Sequence, residues 1–415
     1  MMMERTTLKA LALALICRPG SLSAKEVRAL AGADWAQIFD WGQEHRFLPY
    51  LHHALKSAGL LEFVSPEQRD CLLPVRRSMA LRALAAKGDM VRVHQTLEDA
   101  RIAHVFLKGA YLAEFAYPEP GLRPLRDIDV LVERSEAIAA YDRLQAAGFA
   151  RDPHYPGHIE AYLETSKHLP RLIAPDGGTA VELHLQLTES TRYSDEHRTL
   201  RARAVLARAQ PSRVAVHDMR FPTPEDMLVH LCVHAVYEHQ FNIGPLILTD
   251  LHWLLATHCI DWKMVWADAA EQSVTRGVAL MLRLLQQQWP GSIEAQPEDL
   301  LPLAEVDEYV VLQAADMLLR SFAARNDVAI LESVQARPTL AGKLSFVLSK
   351  AFPAPSELAK QFPSSPNSLA IVMCYPILWR RLLQQRLPDL IANMRTEEKL
   401  AEAKALSRIS AWLGS

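Results

Sequence analysis

Asp127-Ile128-Asp129 opens a β-branched, alternating run, Asp127 to Val132. Side chains alternate across a strand, so both carboxylates share one face while Ile128 and Val130 enter the core. Glu182 repeats the pattern within Val181-Glu182-Leu183-His184-Leu185, where Val181, Leu183 and Leu185 turn inward. Three carboxylates could thus converge on one exposed sheet face. Such groups repel and raise one another's pKa unless a cation neutralises them, and a hard divalent metal is the simplest neutraliser. Mg²⁺ suits the role because it bridges carboxylates to substrate phosphates, with Mn²⁺ an admissible substitute. A lone Asp-x-Asp is common; the presence of Glu182 and of an upstream turn makes this one worth pursuing.

That turn is Lys108-Gly109, after the short apolar run His104 to Leu107. A helix opening there would present free N–H groups and its positive dipole end to a triphosphate. Lys108 adds a mobile charge and Gly109 permits close backbone approach. Arg123 and Arg126, in the loop entering the Asp127 run, could clamp phosphate oxygens through the guanidinium fork, or could be plain surface charges. His168 and His184 share the face of Glu182 if the register is even, and could contact the acceptor or a phosphate. His230, His234 and Glu238 fall one helical turn apart, a spacing that suits a metal, but the pattern lacks the glutamate of a zincin and reads better as structural or cleft-lining.

The elements that must position these residues follow from punctuation and periodicity. Residues 1–100 carry helical apolar spacing, as in Trp35, Ile38, Phe39 and Trp41, with Ser65-Pro66 as a helix start. Residues 101–222 read as an α+β core. It comprises the strand at His104, a helix from Ala110 to Tyr117, the Asp127 strand, a helix from Ser135 to Ala147, and a hairpin. In the hairpin, Lys167–Ala174 and Thr179–Leu187 flank Pro175-Asp176-Gly177-Gly178. Arg213 to Phe221 is expected as a further edge strand. Thr223-Pro224-Glu225-Asp226 places cap, proline and first-turn acids in register for a helix, and 223–415 is expected to be mostly helical. The fold class is therefore α+β, a small mixed sheet flanked by two helical regions.

Composition bounds the rest. The chain has 415 residues, 50% hydrophobic and 22% charged, which excludes disordered and collagenous classes. With 45 Lys+Arg against 48 Asp+Glu there is no global positive field for long nucleic acid or an anionic membrane. Only 16 glycines favour helix over turn-rich folds. The five cysteines form no CxxC pair and sit among apolar neighbours, which points to buried free thiols and a reducing, cytoplasmic setting. The apolar stretch Ala10 to Ile16 is too short for a secretory leader and reads as an amphipathic helix, and Leu369 to Trp379, interrupted by Pro376, is too short to span a bilayer.

Taken together, Leu107-Lys108-Gly109, Leu122-Arg123-Pro124-Leu125-Arg126-Asp127-Ile128-Asp129-Val130-Leu131-Val132 and Val181-Glu182-Leu183-His184 resemble a known family. It is the bacterial family of uncharacterised nucleotidyltransferases within the DNA polymerase β-like superfamily. Pro224-Glu225-Asp226, His230, His234 and Asp250-Leu251 are more loosely similar to its helical extension. The resemblance implies a mixed-sheet nucleotidyltransferase fold, two Mg²⁺ ions, and transfer of a nucleoside monophosphate from an NTP, ATP by abundance, to an acceptor it does not specify. It implies that Asp127 and Asp129 are metal ligands, and that Glu182 is the third acid, holding one metal and helping to deprotonate the acceptor hydroxyl. Where the superfamily's turn has Gly followed by Gly or Ser, this chain has Lys108-Gly109-Ala110, so Ala110 supplies no hydroxyl. Two other readings compete: a degenerate module that binds nucleotide or protein without chemistry, and an Asp-x-Asp glycosyltransferase, disfavoured because the preceding hundred residues are helical.

Overall fold

The computed structural model describes residues 4–30, 32–189, 194–322, 328, 330–333, 337, 339–386 and 397–414. Its architecture is α+β, a mixed five-stranded sheet and a two-stranded sheet set among helices. Arg5–Cys17 (α1), Ala24–Ala29 (α2), Gly32–Glu44 (α3), Leu48–Ser57 (α4) and Pro66–Asp99 (α5) precede the first strand. Their apolar spacing buries Trp35, Ile38 and Trp41 on α3 and Leu48, Leu51 and Leu55 on α4. The long helix α5 begins where its residue types dictate: Ser65 Oγ accepts the Gln68 N–H at 3.4 Å, and Pro66, which has no N–H to lose, takes the first position.

The sheet elements follow as His104–Phe106 (β1), Lys108–Phe115 (α6), Asp127–Val132 (β2), Ala137–Ala146 (α7), Ala150–Arg151 (β3), Ile159–Thr165 (α8), Leu172–Ile173 (β4) and Ala180–His184 (β5). The strand order is β1-β2-β5-β4-β3. β2 and β5 are parallel and the other neighbours antiparallel, so the expected hairpin exists as β4–β5 around the Pro175–Gly177 turn. Phe106, Ile128, Val130, Val181 and Leu183 enter the main core. On the opposite face Val105, Leu107, Leu131 and Leu187 are covered by Ala202 and Val205 of Asp195–Arg208 (α9). One end of the acid-bearing face is therefore sealed by apolar packing, while the other carries Asp127, Asp129 and Glu182.

The segment expected as a further edge strand does not join this sheet. Gln210–Val214 (β6) and His217–Phe221 (β7) pair with each other in a separate two-stranded sheet. The chain reverses within the segment, at Ala215-Val216, with Ala215 at φ 55°, so both halves find their hydrogen bonds locally. α6 also begins two residues earlier than its apolar pattern suggests and ends at Phe115, before the residues that Pro118 holds out of helix.

Pro224–Val233 (α10) starts with Thr223 Oγ1 accepting the Asp226 N–H at 3.2 Å. A π-helical turn over His234–Glu238 follows, then Leu246–Thr257 (α11), Trp262–Glu271 (α12) and Thr275–Gln288 (α13). One continuous cluster of buried apolar residues runs from Leu8 to Ile409, joining helices on both sides of the sheet. Two glycines mark close approaches between these regions. Gly121, at φ +80°, lies so near α5 that a Cβ would strike the backbone of Ala80, and a Cβ on Gly157 would strike the backbone of Lys360. At the second contact the His158 N–H donates to the Ala359 carbonyl at 2.8 Å and the Tyr162 hydroxyl to the Lys360 carbonyl at 3.0 Å. The five cysteines are free; Cys17, Cys232 and Cys374 are buried as expected, whereas Cys71 and Cys259 face outward. No helix among the described residues is long and apolar enough to cross a membrane.

Candidate active site

The parallel register of β2 and β5 sets Asp129 directly opposite Glu182 and Asp127 opposite Ala180. Period-two alternation then brings all three carboxylates to one face, as their spacing predicts. Asp129 and Glu182 are buried; the Asp127 side chain, at 28% exposure, is the most open. One ligand atom from each of Asp129, Glu182 and His184 lies within 4.8 Å of the others.

The face is not purely acidic. Lys108 Nζ donates to Asp129 Oδ1 at 2.9 Å, and His184 Nε2 lies 2.7 Å from the same oxygen. Arg171 donates to Glu182 Oε1 from Nε at 3.1 Å and Nη2 at 2.7 Å, and its Nη2 stands 3.6 Å from Asp127 Oδ2. Lys108 reaches Asp129 because β1 continues by one more ladder bond, Leu107 N–H to Asp129 O at 2.9 Å, before the chain turns. The turn leaves Lys108 at φ 43°, a left-handed conformation that a non-glycine residue adopts at a cost of order 1–3 kcal/mol, the kind of strain that collects at functional sites.

Charge balance differs among the acids. Burial raises the Asp129 pKa, but Lys108 and His184 outweigh it and hold the carboxyl well below its ordinary value. Glu182 is likewise lowered, burial being overcome by the histidines beside it, His184 and His168. Asp127 goes the other way, pushed up to about 6 by burial and then by repulsion from Asp129 and Glu182. It is the carboxyl whose counter-charge is least complete. Burial would lower the Lys108 pKa, yet the three acids raise it, so the ammonium stays charged. Asp129, Glu182 and His184 are the donors close enough to share one ion, with Asp127 on the same face but outside that group. The two carboxylates offer the oxygens a hard divalent ion takes, Asp129 through the oxygen that Lys108 and His184 leave open.

Residues 31–290 match the model of the family described as uncharacterised nucleotidyltransferase. The chain belongs to that family. No curated protein and no solved structure matches it. The match includes every residue of the acidic face and runs from α3 to the end of α13, so family membership extends over helical elements on both sides of the sheet.

Within this nucleotidyltransferase, several expected residues have partners the sequence did not disclose. Arg123 is engaged by Asp250 of α11, Nε to Oδ1 at 3.2 Å and Nη2 to Oδ2 at 3.1 Å, while the Tyr117 hydroxyl donates to Asp250 Oδ1 at 2.7 Å. Gly109 is buried under that loop, and a Cβ there would lie 2.8 Å from Arg123 Nη1 and from Leu125 Cδ2. Arg126 is exposed just ahead of Asp127. His168 and His184 do share the face: they form an isolated bridge, their rings are 5.5 Å apart, and His168 Nε2 is 3.8 Å from Glu182 Oε2.

Arg171 escaped the sequence reading. Continuing the β4–β5 register from Leu172↔Val181 by one residue sets Arg171 against Glu182, so the hairpin did contain the signal. Arg46 and Arg82 had none. They come from the helical region, yet burial and the charges of Arg126, Arg82 and Arg123 together lower the Arg46 pKa, with Asp127 opposing them. Arg171 is the arginine in contact with Asp127, at 3.6 Å, and Arg46 feels the Asp127 charge as well. On the other flank, Lys167 Nζ is 2.6 Å from Glu238 Oε2, and His234 Nδ1 donates to the same oxygen at 2.7 Å. Burial, and then the Lys108 charge, push His230 and His234 down to about 3, so both imidazoles are neutral. Lys167 is thus the cation that Glu238 holds, and one ligand atom from each of His234, Glu238 and His239 lies within 4.8 Å of the others.

Proposed function

We propose that the chain is a cytoplasmic nucleotidyltransferase of the polymerase β-like, bacterial type, transferring a nucleoside monophosphate from an NTP, ATP by abundance, to a hydroxyl on a small molecule or protein. The observation that carries the reading is the in-register placement of Asp129 and Glu182 on parallel strands with Asp127 one step along the same face. Asp127, Asp129 and Glu182 would hold Mg²⁺, which when bound supplies charge neutralisation for the phosphates and activation of the attacking oxygen.

The chain's own groups do the rest. Arg126, Arg46 and Arg82, whose charges bear on one another, would attract a polyphosphate and help to fix its orientation. Arg123, committed to Asp250, positions the loop that carries Arg126 and packs it onto the Gly109 turn. His184 orients Asp129, and Glu182, as the resemblance implies, would help to deprotonate the acceptor hydroxyl. The reading treats 101–222 as the catalytic unit, with 1–100 and 223–415 as helical regions that supply arginines and support. Asp127→Asn and Asp129→Asn should each lower transfer of labelled nucleotide by roughly 10³-fold or more while leaving the circular dichroism spectrum unchanged. Turnover retained in either variant overturns the assignment.

A second reading, a module that binds nucleotide without chemistry, is favoured by one observation: Lys108 and Arg171 already neutralise the acids. Calorimetry with ATP and Mg²⁺, followed by mass spectrometry over hours, separates the two. Nucleotide held intact, with no monophosphate adduct on any candidate acceptor, would select the binding module.

A further inference from the structure

At the start of β1, away from the acids, a second set of ligand-type side chains converges. His94 and Glu98 lie one turn apart on α5, and His104 is the first residue of β1. Both histidines are buried, and His94 Nδ1 faces His104 Nε2 at 3.0 Å. One ligand atom from each of His94, Glu98 and His104 lies within 4.8 Å of the other two. The other ring nitrogen of His104, Nδ1, is 2.9 Å from the Ile102 carbonyl. A carbonyl only accepts, so Nδ1 carries the proton and Nε2 points a lone pair into the space shared with His94. Metal-binding histidines are typically fixed by such a bond from the far nitrogen to a backbone carbonyl. On the outer side stands His217 of β7, its ring 5.8 Å from that of His94.

We infer that His94, Glu98 and His104 form a binding site for a zinc-type transition metal, separate from the carboxylate face and serving to pin α5 to the sheet. Two imidazoles and one carboxylate are a borderline-soft donor set, matched to Zn²⁺ and poorly matched to Mg²⁺. Zn–N bonds of about 2.0–2.1 Å in a tetrahedral site hold two nitrogens roughly 3.3 Å apart, so the facing rings need separate by only a few tenths of an ångström. The proton that His94 Nδ1 now shares with His104 moves to His94 Nε2, and both rings remain neutral. Glu98, exposed on α5, closes the third position and leaves the fourth to water.

The test uses the full chain, stripped with a chelator and titrated with Zn²⁺ in millimolar Mg²⁺ against a chromophoric competitor. The loaded protein is then examined by X-ray absorption at the zinc edge. One equivalent should bind, with a spectrum showing two imidazoles. His94→Gln and Glu98→Gln should each weaken binding by at least about 10-fold, whereas Asp129→Asn and His234→Gln should keep the equivalent. Glu98→Gln alters an exposed side chain, so it serves even where His94→Gln fails to fold. Failure of the wild-type chain to take zinc would reduce the pair to a plain hydrogen bond. Zinc retained unchanged in Glu98→Gln, or lost in Asp129→Asn or His234→Gln, would place the metal elsewhere; either result overturns the inference.

Discussion

Lys108 is the residue on which the electrostatics of the acidic face turn. It is buried, strained at φ 43° and bonded to Asp129, so replacing it with methionine removes the partner of a buried carboxylate. Breaking one side of such a pair costs about 3–5 kcal/mol, and Lys108→Met should lose stability on that scale in the absence of divalent ions. Added Mg²⁺ should then raise the melting temperature of the variant more than that of the parent; an equal rise in both would show that the ion does not share Asp129 with the ammonium. The aspartates and Glu182 were legible in the sequence because strand alternation alone fixes which face they occupy. The charge that balances them was not. Lys108 reads equally well as a phosphate ligand until the ladder bond from Leu107 shows where the chain turns, and Arg171 emerges only once the hairpin register is known.

At the scale of elements, the loop between α6 and β2 is tied to α11 by Arg123, Tyr117 and Asp250. Single replacements Arg123→Met and Asp250→Leu each strand a buried charge and should cost about 3–5 kcal/mol, whereas the double replacement should cost less than their sum. Denaturant unfolding of the four proteins completes that cycle, and strict additivity would refute a coupled pair. The strands at Asp127 and Glu182 and the caps at Ser65 and Thr223 could be read from local residue types, whereas α8 and α9 between the strands were not read. The β6–β7 hairpin could not, because its turn uses Ala215-Val216 rather than glycine or asparagine, and the α11 partner of Arg123 lies 127 residues away in sequence.

For the whole molecule, buried histidines govern the response to acid. Burial lowers His45 and His252 to about 4 and His230 and His234 to about 3, all below the ordinary value near 6.5 of an unfolded chain. The unfolded state therefore takes up protons first as pH falls. These groups contribute their full stability above about pH 6.5 and lose it as pH falls, His45 and His252 down to about 4 and His230 and His234 down to about 3. Asp127, raised to about 6, has the opposite sign, its contribution lost as pH rises from about 4 to 6, and burial raises Asp268 and Glu332 as well. The histidines lowered by burial also include His52, His53, His94, His104 and His168, and they outnumber these acids. Urea midpoints should accordingly fall steeply from pH 6.5 to 4, and a flat profile would contradict the burial argument. His252→Phe, which preserves the ring stacked 3.5 Å from Trp289, should make that descent shallower.

The contact between Gly121 and Ala80 carries a lesson for anyone wishing to trim the protein. A side chain larger than hydrogen at 121 would have to push away the backbone of a helix that precedes the sheet in the chain. A fragment cut at residue 101 would lose the surface against which the loop leading to Asp127 is moulded. The acids would survive the excision in composition but not in arrangement. The sheet and the long helix beside it are accordingly best handled, expressed and evolved as one piece.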